Sequence, residues 1–199
     1  KKIFSEGLIN SHTTLKYFKH LEHMFRKSAS IDEHLGLVKK HLFAEFPESE
    51  AQQLFDTYKK YLECEIALLE EYRNLSNVKS MNEAIEMLKK IQEFRRSRLG
   101  NDLADKLFGA DVKAKEYAFR RADIVGNNAL YGKEKEDLLK KLNEDMWGDE
   151  SSAVEKFEPD SPIAWQRYNE KQAIYQKDLD ELASDDAKEA RIKEYRTDF

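Results

Sequence analysis

Cysteine, proline and glycine are all scarce in this 199-residue sequence, which holds 1 Cys, 3 Pro and 7 Gly. The lone Cys64 excludes an intrachain disulfide and the four-cysteine zinc sites, and it leaves the redox compartment open. So few prolines and glycines leave few positions that favour tight turns. Long hydrophobic runs are missing too: no stretch reaches the roughly 18 apolar residues of a membrane span, and no signal peptide is visible. An excess of basic charge is also absent, with 34 Lys and Arg interleaved among 39 Asp and Glu for a net charge of −5. Phosphate binding wants a basic excess on one face, so no nucleic-acid partner is expected. There is no glycine-rich phosphate loop, no nucleophile elbow and no Cys/His nucleophile pair. An enzyme is therefore not expected, nor is a cofactor. The chain opens on Lys1-Lys2 without an initiating Met, which reads as a fragment or a processed form.

What is present is charge and aromatic bulk. Charged residues make up 37% and hydrophobic ones 40%, with 11 Phe and 9 Tyr, and the mean hydropathy is −0.80. Aromatic content of this kind argues against disorder, and the balance fits long amphipathic helices rather than one compact globule. Residues 13–27, "TTLKYFKHLEHMFRK", set Leu15, Phe18, Leu21, Met24 and Phe25 at helical spacing, with Thr13 or Thr14 as N-cap. On that helical wheel Phe18 lies inside the apolar stripe and Tyr17 at its edge. Ser30 and Glu33 form a capping-box pattern for a second helix carrying Leu35, Val38, Leu42 and Phe46, ended by Pro47. A third helix is expected from about Glu48 to Arg73, its stripe running through Leu54, Tyr58, Tyr61, Ile66, Leu69 and Tyr72. These three make a small three-helix unit.

After the polar break "NLSNVK", residues 74–79, a second capping box of Ser80 and Glu83 launches a helix with Met81, Ile85, Leu88 and Ile91 on one face. It leads into "RRSRLGNDLADKLFG", residues 95–109, which packs three arginines into four positions and is then punctuated by Gly100 and Gly109. Both glycines sit where a helix would end in a left-handed residue, with Asn101 or Asp102 and Asp111 able to cap the next helices. The stretch reads as a helix–turn–helix–turn–helix staircase. Further helices are expected at 111–125 (Val112, Tyr117, Phe119, Ile124) and 133–147 (Leu138, Leu139, Leu142, Trp147). "WGDESSAVEKFEPDSP", residues 147–162, reads as a linker. Ser161-Pro162 then starts a helix running to about Leu182, and Ser184 caps a last one ending near Asp198. No segment alternates in strand fashion for long, and the fold class is all-α.

Chemistry-bearing residues are few. Carboxylates occur throughout, each with an i,i+4 surface partner available, so no pair stands out for acid–base work. All five histidines, His12, His20, His23, His34 and His41, fall in the first 41 residues. His20 and His23 are i,i+3 neighbours, and a metal would need His12 or His34 as a third ligand; no metal site is assigned, and an exposed or partner-facing polar cluster is the simpler reading. Cys64 lies between Glu63 and Glu65, which disfavours the thiolate, so it reads as an inert thiol. The aromatic stripe Tyr58, Tyr61 and Tyr72 is read as core, with a partner-contact face as the alternative.

One longer pattern stands out: "RRSRLGNDLADKLFGADVKAKEYAFRRADI", continued by "LYGKEKEDLLKKL" (130–142), with "AWQRYNEKQAIY" and "RIKEYRTDF" near the end. From about Gly7 to Phe199 the sequence resembles the lipase-specific foldases, the steric chaperones of secreted bacterial lipases. The resemblance implies two small helical domains, 1–73 and 149–199, joined by an extended multi-helix arm over 74–148, in a non-globular all-α protein. It implies a secreted lipase or lipase-like hydrolase as client, embraced one to one, with no membrane contact from this chain. A periplasmic location and a bacterial inner-membrane anchor in the full-length form belong to the same expectation. The family usually carries one more helix than the chain shows after Phe199.

The same resemblance marks a departure. The family's motif in the first domain runs Arg, two variable residues, Phe-Asp-Tyr, an aromatic or Cys, then Leu-Ser. The matching stretch is "HTTLKYFKH", with His12 for the Arg, Leu15 for Phe, Lys16 for Asp and His20 for Ser; Tyr17 and Phe18 are retained. The implied partner-facing residues are Tyr17, His12 and His20, with Arg95, Arg96, Arg98, Arg120 and Arg121. The three clustered arginines either line the inner face of an arm or solvate a helix end and offset its dipole. Two functions are compatible with this pattern: a steric chaperone for a lipase-like hydrolase, or a helical scaffold of the same architecture without folding activity.

Overall fold

The structure is a computed structural model. It describes residues 4–5, 8–9, 11–73, 78–148 and 162–197. The elements run β1 (Phe4–Ser5), β2 (Leu8–Ile9), α1 (Ser11–Met24), α2 (Ile31–Glu45), α3 (Glu48–Glu71), α4 (Met81–Leu99), α5 (Asn101–Gly126), α6 (Gly132–Trp147), α7 (Pro162–Ile174), α8 (Gln176–Asp180) and α9 (Asp185–Arg196). The fold is all-α; β1 and β2 add only a two-residue antiparallel ladder pairing Phe4 with Ile9. Two compact units emerge, Lys1–Ala114 and Lys115–Phe199, and the division falls within α5.

Local chemistry sets most helix starts. Ser30 Oγ accepts from the Glu33 N–H at 3.1 Å, and the Glu33 carboxylate accepts from the Ala29 N–H at 2.6 Å, one residue before the cap. Ser80 and Glu83 repeat this, at 3.2 Å and, to the Lys79 N–H, 2.8 Å. Ser184 caps α9 through the Ala187 N–H. Pro47 separates α2 from α3, as its ring requires. The α1 start differs from expectation: the helix begins at Ser11, so Thr13 and Thr14 lie inside it. Thr14 is fully buried. Residues 149–161 of the expected 147–162 linker, Ser161 among them, like residues 74–77 of the polar break, lie outside the described residues.

The core of the first unit takes Phe18 and Leu21 from α1, Val38 and Leu42 from α2, and Ala51, Leu54, Tyr58 and Tyr61 from α3. Leu107 and Phe108 of α5 complete it. Phe18 meets Tyr58 edge-on at 5.2 Å, an aromatic geometry favoured beyond the area it buries. His34 ties the α1–α2 turn to this core. Phe25 O can only accept, so His34 Nδ1 carries the proton at 3.3 Å and Nε2 accepts from the Tyr58 hydroxyl at 2.6 Å.

The α3 stripe leaves the core earlier than its periodicity implies: Leu69 is 73% exposed. Length explains this. At 1.5 Å per residue the 24 residues of α3 span about 36 Å, whereas the 14 of α1 and 15 of α2 reach only about 21–23 Å.

Gly100 and Gly109 part company. Gly100 has φ +82° and ψ 152°, ends α4 through its N–H to Arg96 O at 2.9 Å, and starts α5 by accepting from the Ala104 N–H at 3.0 Å. Gly109 lies inside the continuous α5, so the second step of the expected staircase does not exist. Leu107, Phe108 and Val112 form one stripe on the first core, and keeping that stripe in register requires unbroken helix across Gly109.

In the second unit, α6 buries Gly132, Lys135, Leu139 and Leu142. Tyr168, Leu179 and Tyr195 form a core cluster with Tyr175, Leu182 and Ile192 against it. The helix expected from 162 to 182 breaks at Tyr175 into α7 and α8. Tyr175 packs on Tyr195 at 5.3 Å and covers Gly132, where a Cβ would overlap its ring. The fully buried Lys135 Nζ donates to Val125 O at 2.7 Å and Ala173 O at 3.2 Å, in the last turns of α5 and α7. A cation there satisfies orphan carbonyls at two negative helix ends. Burial lowers the Lys135 pKa, with Asp178 opposing.

Candidate functional site

The eight residues expected to face a partner fall in three places. On α1, Tyr17 is half-buried, edge-on to Phe46 at 6.0 Å and 6.4 Å from the ring of the exposed His20. Burial, reinforced by Glu45, pushes its hydroxyl above the usual tyrosine range. Phe18 is fully buried, so these neighbours divide between core and edge as the helical wheel implies. His12 stands in the first turn of α1; its side chain lies outside the described residues. Lys16 and Lys19 are exposed.

At the α4–α5 joint the arginines are not equivalent. Arg95 Nε and Nη2 grip both oxygens of Glu65 at 2.8 and 3.0 Å, and its guanidinium lies 3.7 Å from the Phe108 ring centroid. The side chain is only 16% exposed and joins α3, α4 and α5. Arg96 spans the Gly100 turn, holding Asp105 at 2.9 and 3.1 Å and Glu93 at 2.5 Å. The Arg96 hydrogen bonds, with one from Gln92 and against some desolvation, keep the Asp105 carboxyl below its ordinary range. Arg98 alone of the three is exposed, with its guanidinium 5.2 Å from the Phe94 ring.

In the second unit, Arg120 pairs with Glu116 one turn earlier at 2.7 Å, and Arg121 pairs with Glu170 of α7. Arg95, Arg96 and Arg121 thus use their charge between elements of their own units, while His20, Arg98 and Arg120 stand at the surface. Cys64 is buried, and burial together with Glu65 raises its pKa against the pull of Arg95 and Arg98, which leaves the thiol unreactive. Among the described residues no three His, Cys, Asp or Glu side chains gather to hold a metal ion. Nor is any described helix long and apolar enough to cross a membrane.

Nothing in the sequence singles out Arg26, Ile31 or Lys135, which the structure sets apart. For Lys135 a signal existed: it shares the α6 stripe with Leu139 and Leu142, four and seven residues on. Arg26 and Ile31 flank the α1–α2 turn and line a groove that Leu62 and Ile66 of α3, more than 30 residues on, help to form.

Two helical units, each with a tyrosine-rich core and arginines bound to their own carboxylates, define the class as an all-α protein whose charge mostly holds its own helices together. A family model described as proteobacterial lipase chaperone protein matches residues 40–198, most of the chain, and the chain belongs to that family. Lipase chaperones are folding helpers rather than catalysts. No curated protein and no solved structure matches it. The match begins within α2, so α1 and Tyr17 precede it.

Proposed function

We propose that this protein is a steric chaperone that binds a secreted lipase-like hydrolase one to one in the periplasm and lowers the barrier to its folding. The family match over residues 40–198 carries this reading. Exposed large apolar side chains on both units, among them Leu69, Leu138, Trp147 and Trp165, support it, because a chaperone acts through contact area. In this reading the chain needs no catalytic group. Residues 1–73 and 149–199 hold the client, and 74–148 connect them while adding contacts of their own. Tyr17, His12, His20, Arg98 and Arg120 are contact residues, and Arg95, Arg96 and Arg121 maintain the surfaces that present them.

A second reading, a helical scaffold that binds without assisting folding, is favoured by one observation. The family match starts after α1, where Lys16 and His20 stand in place of the Asp and Ser of the family motif. Dilution of the denatured secreted lipase of the same organism, with and without this protein, separates the two. Recovery of lipase activity only with the protein supports the chaperone. Complex formation without recovery supports the scaffold, and neither binding nor recovery refutes both.

A further inference from the structure

Past Tyr61, the last α3 residue in the first core, one face of α3 forms a surface with no assigned role. Beyond Tyr61 an apolar line continues as Leu62, Ile66 and Leu69, each about one turn on from the last. Beside Leu62 and Ile66 a groove of about 330 Å³ opens toward the α1–α2 turn, where Phe25, Arg26 and Ile31 line it. Ile31 is 50% exposed. A second concavity at the same turn, of about 500 Å³, shares Phe25 and Arg26 and adds the exposed Met24 and Leu37. These apolar side chains therefore make one surface around the turn, not scattered single positions.

Charge gives the surface its polarity. Arg26 lines both concavities and has no carboxylate partner among the described residues; its guanidinium touches only the His23 ring, at 3.5 Å. The acids on the rim are engaged already. Glu22 accepts from the Tyr61 hydroxyl at 2.5 Å and pairs with Lys19 at 3.2 Å, and Glu33 holds the Ala29 N–H. Anything that covers the groove must supply a carboxylate or strand a buried cation. A second copy of this chain would set Arg26 against the same basic patch, which disfavours self-association.

We propose that this surface docks the lipase-like client, taking a client apolar side chain into the groove beside Ile31 and Ile66 while a client carboxylate pairs with Arg26. This rests on the chaperone reading and adds to it the place of contact and the chemistry of the segment recognised. The test measures binding of the full chain to the secreted lipase of the same organism, diluted from denaturant. Variants are Arg26→Glu, Arg26→Lys and the pair Ile31→Gln with Leu69→Gln. Arg26→Glu and the double variant are expected to weaken binding about tenfold or more, the effect of Arg26→Glu shrinking as salt rises. Arg26→Lys keeps most of the affinity. All positions are exposed, so the melting midpoint of the free protein stays near wild type, which separates lost contact from lost fold. Unchanged binding by both Arg26→Glu and the double variant overturns the inference and leaves the chaperone reading standing; a wild-type chain that does not bind overturns both. A concentration-dependent dimer, abolished by the double variant while client binding persists, assigns the surface to a second copy and overturns the proposal.

Discussion

Alanine at Gly100 and at Gly109 is expected to act with opposite signs. Each glycine follows an apolar residue and precedes an acidic or amide one within two positions, so the sequence treats them alike. The backbone does not. Gly100 sits at φ +82°, ψ 152°, a region essentially reserved for glycine, and nothing lies within 4 Å of where its Cβ would stand. The cost of Gly100→Ala is therefore backbone strain alone, about 1–3 kcal/mol, with no steric term to add. Gly109 is interior helix, and the nearest atom to an added Cβ is Asp105 Cβ at 3.8 Å, an ordinary contact. Gly109→Ala removes only the glycine penalty and stabilises by up to about 1 kcal/mol. Thermal melts followed by circular dichroism read both, at about 2–4 °C per kcal/mol for a chain of this size. Gly100→Ala should melt lower and Gly109→Ala higher than wild type. Equal destabilisation by both refutes the continuous α5 and restores the two-step joint.

Phe18→Ala removes a fully buried ring that contacts Tyr58 and Tyr61, and a loss of about 3–5 kcal/mol is expected in denaturant melts, whereas Tyr17→Phe keeps the packing on Phe46 and leaves stability unchanged. Arg95→Met breaks a largely buried bidentate pair and is expected to cost about 1–3 kcal/mol, while exposed Arg98→Gln stays within about 0.5 kcal/mol; equal effects in melts contradict the division among these arginines. Burial first, then the Glu22 carboxylate, raises the pKa of Tyr58 and Tyr61, so the fold favours their protonated forms. That stability is fully present below about pH 10, the unfolded tyrosine pKa, and is lost as pH rises above it. In an alkaline titration, part of the tyrosinate absorbance should therefore appear together with loss of helical signal. Ionisation of every tyrosine near pH 10 with the helices intact contradicts it.

Local rules make the helix boundaries the most legible part of the sequence. Ser30 with Glu33, Ser80 with Glu83, and Pro47 mark helix ends through groups within four residues, so a single sequence holds all the needed information. Phe18 and Tyr17 separate correctly because a 100° step on one helix decides which of them meets the core. The start of α1, at Ser11 rather than after Thr13 or Thr14, is a local miss; the larger failures are non-local. Whether Gly109 ends a helix depends on Leu107, Phe108 and Val112 finding one partner surface, formed by residues about 50 to 90 positions earlier. Arg95 reads as either a partner-facing charge or a solvated helix end until α4 places it 30 residues back, on Glu65. Leu69 fits the α3 stripe by spacing; it is exposed because α1 and α2 are shorter than α3. Lys135 reads as one more surface cation, and only the convergence of two helix C-termini explains its burial.

A chain that helps a lipase-like client fold by binding it, without turnover, must act in proportion to its amount. The most direct measurement is a titration of a fixed amount of denatured secreted lipase from the same organism with increasing amounts of the full chain, reading recovered hydrolase activity after dilution. Recovery is expected to climb linearly and break at one equivalent, since each chain holds one client. Full recovery at a small fraction of an equivalent, or none at a large excess, contradicts the stoichiometric chaperone.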